Sequence, residues 1–166
     1  MSIYTDLHIV SIDDDPNMRS MLEDFVTSKF QGARFSPYSS GEEALQGLST
    51  KPDLIILDYH LDTADPAAMN GIQVLSKLRN RFRDAQIVFL SAQESAEVSS
   101  NTIKFGAFDY IVKNQFAFQR LEVVVRNIMG QATIRKTAGT QKFFNYLLAA
   151  ICATLLAGIV MMRMNG

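Results

Sequence analysis

Short apolar runs alternate along this chain with segments whose apolar residues recur at helical spacing, and most of the runs end on a chemically active side chain. Leu7-His8-Ile9-Val10-Ser11-Ile12 leads into Asp13, Asp14 and Asp15, and Leu54-Ile55-Ile56-Leu57 ends on Asp58. Gln86 to Leu90 ends at Ser91, and Ala107 to Val112 ends at Lys113, with a short run near Ala33 to Ser36 between the first two. Continuous apolar runs of this length suit strands covered on both faces. Met18, Met21, Leu22, Phe25 and Val26 mark the first helix, with Pro16 in its first turn and Asp15 as its cap. Ser40 and Glu43 stand at capping-box spacing before Ala44, Leu45 and Leu48. Gly71 opens a third helix with Ile72, Val74, Leu75 and Leu78 inward. A weaker helix covers residues 96–105, and Phe116, Leu121, Val124, Val125 and Ile128 mark a last one. Five such units predict an α/β fold, a doubly wound five-stranded parallel sheet with helices on both faces.

Ligands of such sheets collect beyond the carboxyl ends of the strands, where the strand order reverses. Asp13, Asp58, Ser91 and Lys113 all fall at strand carboxyl ends. Carboxylates brought together repel unless a proton or a cation holds them, so the cluster reads as a divalent-metal site with a reactive carboxylate. A magnesium ion takes about six oxygens, from a few carboxylates together with water and phosphate. Asp14 and Asp58 are the expected direct ligands, with Asp13 acting through water and the His60 backbone carbonyl supplying a further oxygen. Asp58 is then placed to attack phosphorus in line, with Lys113 pairing with the phosphoryl oxygens, and the Ser91 hydroxyl and the Ala92 N–H donating to another.

Charge is distributed unevenly. All 17 acidic residues lie at or before Glu122, and beyond residue 130 the only charges are Arg135, Lys136, Lys142 and Arg163. The acidic N-terminal part makes a poor nucleic-acid partner. Cys152 is the single cysteine, so neither an intrachain disulfide nor a zinc cluster is expected, and no signal peptide is read at the N-terminus. Residues 130–142 read as a polar, basic linker. Residues 143–162 carry no charge and at about 1.5 Å per residue can cross a hydrocarbon core of about 30 Å. They are expected to form a transmembrane helix, followed by a short tail at 163–166. The three basic residues before the run, against one after it, place the preceding domain in the cytoplasm. Ala149, Ala153 and Ala157 repeat every four residues, a small-residue face that permits pairing of two such helices in a homodimer. His8 reads as a strand residue with a satisfied ring, and Arg79, Arg81 and Arg83 as solvated groups favouring the end of the third helix.

Residues 6–129 resemble the response-regulator receiver domains, the CheY-like family. The resemblance rests on Asp13-Asp14, on Asp58 in Pro-Asp-Leu-Ile-Ile-Leu-Asp, on Ser91-Ala92, on Gly-Ala-Phe-Asp-Tyr-Ile-Val-Lys ending at Lys113, and on Met69-Asn70-Gly71. It implies a flavodoxin-like receiver over residues 1–129 that is a phosphoacceptor signalling protein and not an enzyme, although it assists its own phosphorylation and dephosphorylation. It further implies that Asp58 takes phosphate, with Mg2+, from a histidine kinase or histidine phosphotransfer protein. Ser91 and Tyr110 would then move together and alter the face of the fourth helix, fifth strand and fifth helix. His60 and Gln93 resemble positions that tune hydrolysis of the acyl phosphate. Asn114 stands where the family usually has proline after the lysine, and the loop from Asp58 to Gly71 is long. The whole reads as a single-domain response regulator tethered to the inner (cytoplasmic) membrane, acting on a membrane-associated output protein. The alternatives are a phosphorylation-independent scaffold and a phosphate relay or sink.

Overall fold

The computed structural model describes residues 7–61, 68–130 and 146–149. Two units are distinguished, Met1–Ile128 and Met129–Gly166. The first contains β1 (His8–Ile12), α1 (Pro16–Lys29), β2 (Arg34–Tyr38), α2 (Gly41–Gly47), β3 (Leu54–Asp58), α3 (Gly71–Arg81), β4 (Gln86–Ser91), α4 (Ala96–Lys104) and β5 (Asp109–Val112). A last helix, α5, covers residues 117–130. The strands form one parallel sheet in the order β2-β1-β3-β4-β5. The strand order reverses between β1 and β3, which fixes where a ligand site belongs.

The burial pattern explains the sequence. Every residue of β1 and β3 is buried, as continuous apolar runs require when helices cover both faces. The edge strand β2 is only partly buried and carries Pro37, a residue that an edge tolerates because one side of its ladder is free. One large core cluster joins Val10, Ile55, Leu57, Val74, Leu75 and Phe89.

Capping follows the predicted chemistry with two differences. Asp15 caps α1, accepting from Asn17 N–H at 2.9 Å, with Pro16 in the first turn. Ser40 caps α2 and accepts from Glu43 N–H at 3.1 Å. Glu43, however, reaches back to the Ser39 N–H and hydroxyl, both at 2.7 Å, and not to Ser40 N–H. The closed capping box belongs instead to Asn70 and Gln73 at the start of α3, each side chain accepting from the other's N–H at 3.0 Å.

Several side chains depart from expectation. The second strand runs to Tyr38, past the predicted Ser36, because Asp13 N–H prolongs the pairing by donating to Tyr38 O at 3.1 Å. Met21 is 50% exposed and Phe116 58% exposed, so neither belongs to the inward faces predicted for them; Ala117 is buried one residue on from Phe116. Arg79 and Arg81 are not simply solvated. Arg79 donates to the Gly106 and Ala85 carbonyls, and Arg81 to those of Leu45 and Leu48, so the two guanidinium forks tie α3 to the ends of its neighbours. His8 is buried with both ring nitrogens engaged, Nδ1 at 2.8 Å from Arg34 Nη2 and Nε2 at 3.0 Å from Ser36 Oγ. Burial, and then the Arg34 charge, hold its pKa below the usual value against the opposing pull of Asp53.

No helix among the described residues is long and apolar enough to cross a membrane. The run expected to do so, 143–162, lies outside the described residues except at 146–149, which are helical and exposed.

Helices α2 and α3 meet at Gly41, where an added Cβ would lie 2.1 Å from Val74 Cγ2. Gly41→Ala should therefore destabilise the fold by about 1–3 kcal/mol, the usual cost of overpacking. Denaturant unfolding should show this loss, and Val74→Ala in the same chain should recover part of it.

Candidate functional site

The carboxyl ends of β1 and β3 are neighbours, so Asp13 and Asp14 emerge beside Asp58. One carboxylate oxygen from each of the three lies within 4.8 Å of the other two. Asp13 is 2% and Asp58 7% exposed, and Asp14 is half-buried. Lys113, at the end of β5, reaches back over the sheet edge. Its Nζ lies 2.7 Å from Asp58 Oδ2 and 2.9 Å from Asp13 Oδ2. Backbone donors complete the frame: Asp15 N–H donates to Asp13 Oδ1 at 3.0 Å and His60 N–H to Asp58 Oδ1 at 3.2 Å. The Arg19 guanidinium donates to the Asp13 carbonyl, a tie from α1 that sequence reading missed because a backbone acceptor leaves no pattern.

The electrostatics are unbalanced. Burial pushes the Asp13 carboxyl above the ordinary carboxylate range, and the hydrogen bond and charge of Lys113 only partly oppose it. Burial alone would lower the Lys113 ammonium, but its bonds to Asp58 and Asp13 outweigh that and raise it. One ammonium thus faces three clustered carboxylates. Oxygen donors and excess negative charge fit a hard divalent cation such as Mg2+.

Ser91, at the end of β4, is fully buried, and Ala92 beyond it is exposed. Ser91 Oγ accepts from Gln93 N–H at 3.2 Å, and the Gln93 carbonyl accepts from the Tyr110 hydroxyl at 2.7 Å. The Tyr110 side chain is turned inward at 5% exposure, its ring 6.4 Å from that of Phe89. Ser91 and Tyr110 are therefore joined through the single residue Gln93. The Gln93 side chain extends the link: its Oε1 lies 3.1 Å from His60 Nε2, across the mouth of the pocket.

Two local features hold the frame. Gly71 starts α3 so close to the loop after β3 that a Cβ would lie 2.8 Å from both the Asp58 and Tyr59 carbonyls. Glu42 on α2 accepts from Met69 N–H at 2.8 Å and pins the far end of the same loop. Asn114 makes a turn of its own after Lys113. Its side chain accepts from Phe116 N–H at 2.9 Å, an Asx-type turn that starts α5, and no peptide bond among the described residues is cis. Asp62 and Asp65 of the long loop lie outside the described residues.

Residues 9–126 match the family model of the response regulator receiver domain, and the chain belongs to that family. It is 29% identical over 114 residues to a probable C4-dicarboxylate response regulator of Bacillus subtilis, aligning 68% of this chain with 48% of that protein. It is 32% identical over 110 residues to a protein-glutamate methylesterase/protein-glutamine glutaminase of the same organism, aligning 64% of this chain with 29% of that one. The chain therefore spans half or less of these two relatives, one of which is an enzyme. The Thermotoga maritima response regulator TrrA, solved in complex with Mg2+-BeF, is 29% identical with a TM-score of 0.61, covering 74% of this chain and 98% of that one. A two-component response regulator from Clostridium difficile is 25% identical with a TM-score of 0.67, covering 76% and 98%. The expected parallel α/β receiver fold is thereby established, as a signalling domain of two-component systems.

A carboxyl whose folded pKa lies above its unfolded one costs stability as pH rises between the two values, and the loss is regained on acidification. Asp13 is such a group. At neutral pH without divalent ions, Asp13→Asn should melt above the natural protein. Adding Mg2+ should raise the melting temperature of the natural protein more than that of the variant, as differential scanning calorimetry would show.

Proposed function

We propose that Asp58 accepts a phosphoryl group in a Mg2+-dependent reaction, and that this event switches a protein-binding face of a receiver tethered to the inner (cytoplasmic) membrane. The observation that carries the reading is the meeting of Asp13, Asp14 and Asp58 within 4.8 Å with Lys113 bonded to the reactive carboxylate. Asp14 and Asp58 would hold the cation directly, Asp13 through water, and the His60 carbonyl would add an oxygen. The bound cation neutralises carboxylate and phosphoryl charge alike.

The rest is done by the chain's own groups. A carboxylate oxygen of Asp58 forms the new O–P bond. The donor's P–N bond breaks with the electron pair leaving on nitrogen, as for a phosphohistidine on a kinase or phosphotransfer protein. Lys113 turns from the carboxylate to a phosphoryl oxygen. The Ser91 hydroxyl and Ala92 N–H donate to another. Movement of Ser91 is transmitted through Gln93 to Tyr110, because Gln93 N–H and carbonyl bond these two side chains. Tyr110 in turn borders the face formed by α4, β5 and α5, where a membrane-associated output partner would read the change.

The anchor is supported by the uncharged run 143–162 and by the basic residues Arg135, Lys136 and Lys142 before it. This topology keeps the receiver in the cytoplasm, with phosphodonors and magnesium.

Incubated in detergent micelles with Mg2+ and acetyl phosphate, the full chain should gain the mass of one phosphoryl group. Asp58→Asn or chelation of the metal should abolish the gain. Modification that survives Asp58→Asn would reject the reading in favour of a scaffold that does not depend on phosphorylation. For the anchor, membranes carrying the full chain should retain it in alkaline carbonate, and its release as free protein would disprove insertion.

A further inference from the structure

Charge is distributed unevenly between the two ends of the receiver. The carboxyl end of the sheet carries Asp13, Asp14, Asp58, Glu42 and Glu94, with Lys113 among them. The opposite end, where helices finish and strands begin, carries Arg34, Lys51, Arg83 and Lys104, all exposed, with Nη2 of Arg34 also engaged by His8 and Thr50. Of the acidic residues there, Asp53 is engaged by His8 N–H and Asp109 by Arg120, while Asp84 is exposed. Favourable interaction with helix macrodipoles explains a lysine in the last turn of α4. It does not explain Arg34 or Lys51, which lie beyond the last turn of any helix.

A second feature shares that end. Around Lys104, in the turn made by Gly106 at φ 98°, Ile103 is 44% exposed, Phe105 61% and Phe108 37%. Aromatic and aliphatic side chains next to basic ones are the composition of a lipid-interface contact. The third feature is the route of the chain. Helix α5 runs alongside α1 in the same direction: the Phe118 ring lies tilted 5.2 Å from that of Phe25, Glu122 pairs with Lys29 at 3.5 Å, and the Arg126 guanidinium lies 6.0 Å from the Phe30 ring. The chain therefore leaves the receiver at its basic end, and the basic linker and uncharged run follow in sequence.

We infer that this basic, aromatic end of the receiver docks on anionic lipid headgroups, with Phe105 and Ile103 entering the interface and Arg34, Lys51, Arg83 and Lys104 meeting phosphate. The inference rests on the reading that 143–162 inserts into the cytoplasmic membrane, and it adds an orientation: the aspartate pocket faces away from the bilayer, open to a phosphodonor. Repulsion of the acidic end does not cancel the attraction. The strand β1 that separates the ends has 5 residues, about 17 Å at about 3.3 Å each, and the screening length at physiological salt is about 8 Å.

The test uses the full chain reconstituted in vesicles of phosphatidylcholine alone or mixed with phosphatidylglycerol. Lysine acylation at Lys51 and Lys104, and hydrogen exchange over residues 103–108, should slow several-fold on the mixed vesicles. High salt should reverse the effect. The triple variant Lys51→Glu, Arg83→Glu, Lys104→Glu should remain in the membrane and lose the protection. Equal protection on both lipids, or none on either, with the chain resistant to carbonate would overturn docking and leave the anchor standing. If carbonate releases the chain, the anchor fails. Docking then requires salt-sensitive binding of the same chain to mixed vesicles and not to phosphatidylcholine, and absence of that binding overturns it as well.

Discussion

The contact of the Lys113 ammonium with Asp58 and Asp13, 2.7 and 2.9 Å away, is the constraint around which the carboxyl edge of the sheet is arranged. Opposite charges about 4 Å apart attract by about 4 kcal/mol in a partly screened protein environment. Taking the ions out of water costs several kcal/mol each. The attraction does not clearly exceed the cost, and Asp14 adds a third carboxylate that no further ammonium meets among the described residues. Such a pocket is a poor device for stability. Its chemistry fits a site completed by a divalent cation, and the fully buried strands β1 and β3 carry it.

The link from that pocket to the surface is short. Gln93 receives Tyr110 on its carbonyl, gives its N–H to Ser91 and lies against His60 through its side chain. Each such hydrogen bond has a net worth of about 1 kcal/mol. The proposed switch needs a rearrangement of only two or three of them, which lies within the differential binding free energy that a phosphoryl group can supply. Gly71 and Glu42 serve the opposite purpose. Close approach at Gly71 and the bond from Met69 N–H to Glu42 hold the β3–α3 connection at its far end.

Much of this was legible in the sequence because it is written in local pattern. Continuous apolar runs identified β1, β3 and β4. Asp15-Pro16 identified the start of α1, and residues at the ends of runs identified Asp13, Asp58, Ser91 and Lys113. Other features were not legible, for reasons that are equally physical. Arg79 and Arg81 bond to backbone carbonyls of distant loops, and a carbonyl has no residue type to recognise. Phe116 has an apolar side chain at a plausible helical position, yet the Asx turn at Asn114 starts the helix one residue later and leaves it exposed. Glu43 stands at the spacing of a capping box but bonds one residue beyond the cap, because Ser39 offers both a backbone N–H and a side-chain hydroxyl.

By itself the sequence determined the family, the class of sheet and the residue types brought to its carboxyl edge, because strand period, burial and strand-end position are encoded within a few residues of one another. Only the tertiary structure decided that Lys113 bridges two aspartates, that one glutamine joins Ser91 to Tyr110, and that positive charge from four separate stretches of the chain shares one end of the molecule with Phe105. These arrangements depend on strand order and helix direction, which bring together residues far apart in the chain, and no local spacing records that meeting.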